Sequence, residues 1–148
     1  MNRFGIGILL LLSLCATPDL VNAQDGGQSG DKLRRAEISQ FLGKWEGTLE
    51  QEQRGHLVPR TMRMDVRSVE GEGHRASIFL GELNPGFGIL HSHRPSEKEH
   101  KAKFRRINKA PCMIVRIGGC DYQFTLKGDK LYGVCATGAE RFCTLARP

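Results

Sequence analysis

Cys112, Cys120, Cys135 and Cys143 crowd the last quarter of the chain and are the first residues that ask for chemistry. Their spacing, C-x7-C-x14-C-x7-C, is not that of a structural zinc site, which pairs its cysteines about two to four residues apart. No cysteine and histidine combine into a nucleophile signature either. All four therefore read as disulfide cysteines, with their pairing open. Histidines form the second candidate group: His91-Ser92-His93, with His100 downstream, on the one long connection, 84–100. In an extended segment alternate side chains point the same way, about 7 Å apart, so both imidazoles can meet one zinc or copper ion. Exposed polar histidines are the plainer reading of the same residues.

Other chemistry is sparse. There is no serine nucleophile elbow, no HExxH and no phosphate loop. Glu46, Glu50 and Glu52 fall on the outer face of a strand, where solvent leaves their acidities ordinary. The sequence thus predicts no enzyme, and it implies no cofactor. The stretch HKAKFRRINK places Lys101, Lys103 and Arg105 on one outward face, suited to phosphate or an acidic partner. A solvated sheet edge guarded by lysines is the competing explanation. With only Phe104 interleaved, and that inward, nothing forms a base-stacking platform, so nucleic acid is not expected.

The chain opens MNRFGIGILLLLSLCATPDLVNA. One early arginine, an apolar run too short to span a bilayer comfortably, and small residues at Val21 and Ala23 read as a signal peptide over 1–23. The expected product is secreted or periplasmic, with no further membrane span. It loses Cys15 and keeps an even set of four cysteines, as an oxidising compartment favours. Residues 24–31 (QDGGQSGD) read as a flexible leader, and 32–148 as one domain. A formal net charge of +6 favours anionic surfaces such as lipopolysaccharide-like headgroups or acidic proteins.

The elements that must position these residues follow from periodicity. Lys32 to Leu42 predicts a short helix, capped by Asp31 and stopped by Gly43. The period then changes to two. Trp45, Gly47 and Leu49 alternate with polar residues, as do Met62, Met64 and Val66. Further strands are predicted over 75–83 and 101–105, where a bulge at Arg106 would return Ile107 inward. Four more follow over 113–118, 120–127, 130–136 and 141–147, joined by short turns. The whole reads as all-β, an eight-stranded antiparallel up-and-down meander closed into a barrel behind a short N-terminal helix. Two-residue turns at Gly118-Gly119 and Gly128-Asp129 set Val115 opposite Tyr122 and Phe124 opposite Gly133. They also bring Cys120 and Cys135 together on the inner face and leave Cys112 without a partner.

Gly43-Lys44-Trp45, following a helix and opening the first strand, resembles the G-x-W signature of lipocalins and related calycin barrels. The resemblance implies that Trp45 closes one barrel end and that a basic residue of the last strand packs across it. Arg147 is that residue here, with Arg141 as the alternative. Asp121-Tyr122 is similar to part of the family's T-D-Y element, with Cys120 where threonine stands.

The expected function is an exported, monomeric, non-enzymatic binding protein for an apolar small molecule or envelope component. Trp45, Met62, Met64, Phe87, Ile89, Phe104 and Tyr122 would line or cover the site, three adaptable methionines (Met62, Met64 and Met113) suiting an acyl or isoprenoid chain. The alternative is a protein-partner module, such as an inhibitor of exported proteases acting through its leader. A third reading is metal binding through His91, His93 and His100.

Overall fold

The computed structural model describes residues 32–53, 55–83, 94–136 and 141–148. A five-residue helix, α1 (Arg35–Ser39), precedes eight strands: β1 (Gly43–Gln53), β2 (His56–Val69), β3 (Gly73–Leu80), β4 (Ser96–Ile107), β5 (Ala110–Ile117), β6 (Cys120–Lys127), β7 (Lys130–Cys135) and β8 (Arg141–Ala146). Each strand pairs antiparallel with the next and β8 returns to β1, closing the barrel. The expected signal peptide and leader lie outside the described residues.

The turns set the registers as their glycines predict. Val115 pairs with Tyr122, Tyr122 with Cys135 and Phe124 with Gly133. A Cβ on Gly133 would come 2.5 Å from the Phe124 ring, so this inward position admits only glycine while that ring fills the centre. Met62, Met64, Met113, Phe124 and Leu131 pack that centre solid.

The helix is shorter than its sequence suggests, spanning Arg35–Ser39 rather than 32–42. The Glu37 carboxylate folds back to accept from the Arg34 backbone N–H at 2.8 Å, satisfying a first-turn donor that the helix cannot. Asp31, the expected cap, lies outside the described residues.

The bulge expected at Arg106 is absent. Pairing runs unbroken from Ala102–Val115 to Ile107–Ala110, so Arg106 shares its side of β4 with Ala102 and Phe104. It is tolerated there because α1 supplies a carboxylate: Arg106 Nη2 donates to Glu37 Oε1 and Oε2 at 2.6 and 2.8 Å.

The four-cysteine expectation is corrected to one bridge. Cys120 and Cys135 form a disulfide, with Cα atoms 5.9 Å apart. Cys112 and Cys143 are buried free thiols. Cys143 points into the barrel beside Leu145, whereas Cys112 is on the opposite side of β5 from Met113 and Val115. Neither register offers it a cysteine.

Candidate functional site

The two ends of the barrel differ. At the helix end, Trp45 is almost wholly buried and its Nε1 donates to the Phe41 carbonyl at 2.9 Å. The Arg147 guanidinium lies 3.8 Å from the Trp45 ring, and donates to the carbonyls of Leu42 and Gln40 at 2.6 and 2.8 Å. Gly43 adopts φ +102°, and a Cβ there would come 2.7 Å from Arg147 Nη1. Phe41 meets Phe104 edge-on at 5.5 Å, and His74 meets Phe104 at 4.9 Å. Every inward polar group named here has a partner, and the end is closed.

At the other end the strands enclose a cavity of about 390 Å³, within the range of small-molecule sites. Leu49, Ile78, Leu80 and Ile117 provide apolar walls. Between them stand Arg60, Lys98, His100, Tyr122 and Arg141, and among the described residues no carboxylate lines it. Two further hollows, of about 450 and 590 Å³, lie on the outer wall.

Arg60 is the feature that core packing does not explain. It occupies the inward parity of β2, in line with Val58, Met62 and Met64, and is only 7% exposed. Its Nε and Nη2 both donate to the Gly81 carbonyl, at 3.0 and 2.8 Å. Gly81 N–H donates to Thr61 O at 2.8 Å, and beyond it Leu83 packs against Val58. No carboxylate pairs with Arg60 among the described residues, and burial lowers the pKa of its guanidinium. A buried cation held by one neutral carbonyl retains most of its need for an anion.

The neighbouring groups share that polarity. Tyr122 hydrogen-bonds with the Arg141 side chain, and its hydroxyl pKa is pushed up to about 12, chiefly by burial and further by Cys143, with Arg141 opposing. It remains a neutral donor at physiological pH. His100 hydrogen-bonds to the Arg116 backbone. Burial holds its pKa below the usual histidine value, Arg116 opposes, and nearby Lys98 adds to the lowering.

Of the residues expected to bind ligand, Tyr122 lines this cavity. Trp45, Met62 and Met64 belong to the packed core, and Phe104 is half-buried against α1's end. Phe87 and Ile89 lie outside the described residues, as do His91 and His93. His100 sits on β4, not on the connection, and faces the cavity. Among the described residues, no group of three metal-ligating side chains comes together. Arg141 lines the mouth, leaving Arg147 as the arginine stacked on Trp45.

Sequence reading missed Arg60 and Lys98. The signal was present: Arg60 keeps the parity of Met62, Met64 and Val66, and Lys98 that of Ala102 and Phe104. Continuing each alternation toward the mouth turns both residues inward.

The fold and the site define a closed eight-stranded up-and-down barrel with a cationic cavity at the end opposite its helix. No family model matches the chain, and no curated protein matches it. Two crystal structures of mutants of the fluorescent protein UnaG are similar to it. Each has 11% identity and a TM-score of 0.43, covering 75% and 74% of this chain and 98% and 97% of theirs.

Proposed function

We propose that this protein is an exported, non-enzymatic carrier of a small amphipathic anion, a molecule with an apolar body and one acidic group. The observation that carries the proposal is Arg60, an inward, buried guanidinium bonded, among the described residues, to one neutral carbonyl. The acid would lie between Arg60 and the Arg141–Tyr122 pair, and the body against Leu49, Ile78 and Leu80. The expected apolar ligand or envelope component thereby acquires an acidic head group. Such a site favours acids over neutral apolar molecules because a desolvated cation gains most from a charged acceptor.

One observation supports a binding role over catalysis. The Cys143 thiol pKa is pushed up to about 12 by burial, and Tyr122 stands about as high, so neither is poised to exchange a proton near neutrality. The buried Cys120–Cys135 bridge suits the oxidising compartment to which a signal peptide would deliver the chain. The protease-inhibitor and metal readings rest on residues 24–31, His91 and His93, outside the described residues, and gain no support from the cavity.

Native mass spectrometry of protein purified from its own compartment tests the proposal. The expected spectrum shows a bound acid that Arg60→Leu protein loses. A spectrum of ligand-free protein, with no uptake of added fatty acids, would contradict it.

A further inference from the structure

We propose that the outer wall of β4 and β5 is a second binding site, a docking strip for an acidic polysaccharide carrying sulfate or phosphate esters. Lys101, Lys103 and Arg105 leave β4 at alternate positions, so their cations form a line with steps of roughly 7 Å. All three are exposed, and none joins an ion pair among the described residues. Lys101 stands directly opposite Arg75 on β3, a like-charge arrangement that opposes folding. Arg116 of β5 adds a fourth cation, with Asp121 at 3.9 Å. These side chains border a shallow hollow of about 590 Å³ around Ile114. Its two carboxylates are engaged, Glu99 with Arg67 at 2.7 Å and Asp121 with Arg116.

The usual reason for such a row is absent. Lysines along a strand protect an open sheet edge from pairing with another chain. Here β4 is hydrogen-bonded to β3 on one side and to β5 on the other, and the barrel has no edge. The adjoining wall shows arginines committed to the fold: Arg67 to Glu99, Arg75 to Glu72 at 3.0 Å, and Arg63 above the Phe79 ring at 4.2 Å. The β4 row is left unneutralised beside them.

The surroundings select the partner. Among the described residues the exposed large hydrophobics, Leu57, Val134 and Phe142, lie on β2, β7 and β8, so the described strip lacks the apolar centre of a protein interface. Its described residues also include no exposed aromatic ring on which a nucleobase could stack. A straight row of cations on a convex wall engages a linear chain of anions along its length, whereas a flat membrane meets such a wall along a narrow contact. None of the three row residues lines the cavity, so the strip stands or falls independently of the carrier proposal.

Heparin is the probe, with poly(dT), poly-glutamate and phosphatidylglycerol vesicles as competing anions, at about physiological ionic strength, where distant surface charges are screened. The triple variant Lys101→Gln/Lys103→Gln/Arg105→Gln should bind heparin at least about tenfold more weakly, with a shallower salt dependence. A charge-matched control, Lys44→Gln/Arg94→Gln/Lys130→Gln, should lose less than about twofold, the strip being local. Circular dichroism and ligand uptake by the cavity should be unchanged in both. Equal losses in the two variants would overturn the strip. So would failure of the native protein to bind heparin, or binding to any competing anion as tightly as to heparin.

Discussion

The two ends of this barrel each turn arginine inward, and they treat it oppositely. At the closed end Arg106 meets the Glu37 carboxylate, and Arg147 meets two carbonyls and the face of Trp45. At the mouth Arg60 and Arg141 share a cavity with Lys98 and His100, and among the described residues no acid lines it. A cation whose counter-charge comes from its own chain belongs to the architecture. A buried cation left among other cations with a neutral partner is a cost that a bound anion offsets. The contrast separates structural charge from functional charge within one small fold.

Removing the centre of the closed end should give the largest effect. Trp45→Ala discards a buried indole, its hydrogen bond to Phe41 and the surface on which Arg147 lies. The expected loss is about 3–5 kcal/mol, in the range for a large aromatic truncated in a core. Urea unfolding followed by circular dichroism measures it, since no other tryptophan remains to report. A loss below about 1 kcal/mol would place the closed end outside the stabilising core.

A paired substitution sharpens the comparison further. Arg60→Leu should weaken binding of an acidic ligand by about thirtyfold or more, as expected when one partner of a desolvated charge pair is removed. It should leave the unfolding midpoint unchanged or raised, because a buried cation with no carboxylate partner among the described residues has been replaced by an apolar side chain. Arg106→Leu should do the reverse, lowering the midpoint and leaving affinity intact. Glu37 sets the pH signature of that loss. The Arg34 backbone N–H, and then Arg106, hold its carboxyl below the ordinary carboxylate range. Its stabilisation is therefore present above the unfolded pKa and disappears as pH falls through the folded value. The two proteins should converge in stability in acid; a gap that persists there would show that Arg106 acts through packing alone.

The smallest expected effect is on the pH dependence of binding. His100 has a depressed pKa, mainly through burial. An anion alongside favours the imidazolium, so binding takes up a proton, and affinity should rise a few-fold as pH falls from about 7 toward 5. The rise should reverse once the ligand's own acid group protonates. His100→Asn should flatten the profile, and an unchanged slope in that variant would assign the proton to another group.

The strands, their order and most registers were legible because each depends on local rules that agree with one another. Gly118-Gly119 and Gly128-Asp129 specify turns, the turns specify pairing, and pairing places Met113, Val115, Tyr122 and Phe124 on one face. The candidate site was less legible for one physical reason, visible twice. An arginine within an alternating run looks like the end of the buried stripe, yet both Arg60 and Arg106 continue it. At Arg106 the mistake produced a bulge that does not exist, since the answering carboxylate comes from α1, 69 residues earlier. At Arg60 it hid the residue that gives the cavity its character. Periodicity reports the direction of a side chain, while the partner that makes an inward charge tolerable comes from the tertiary fold.

Titration calorimetry with decanoate and with its methyl ester tests the central claim most directly, because the two share a body and differ in charge. The cationic mouth predicts that decanoate binds at least about tenfold more tightly than the ester, as a charge-assisted contact to a desolvated cation requires, and that Arg60→Leu erases the difference. Equal affinity for acid and ester in the native protein would contradict it, and would make Arg60 a structural residue like Arg106.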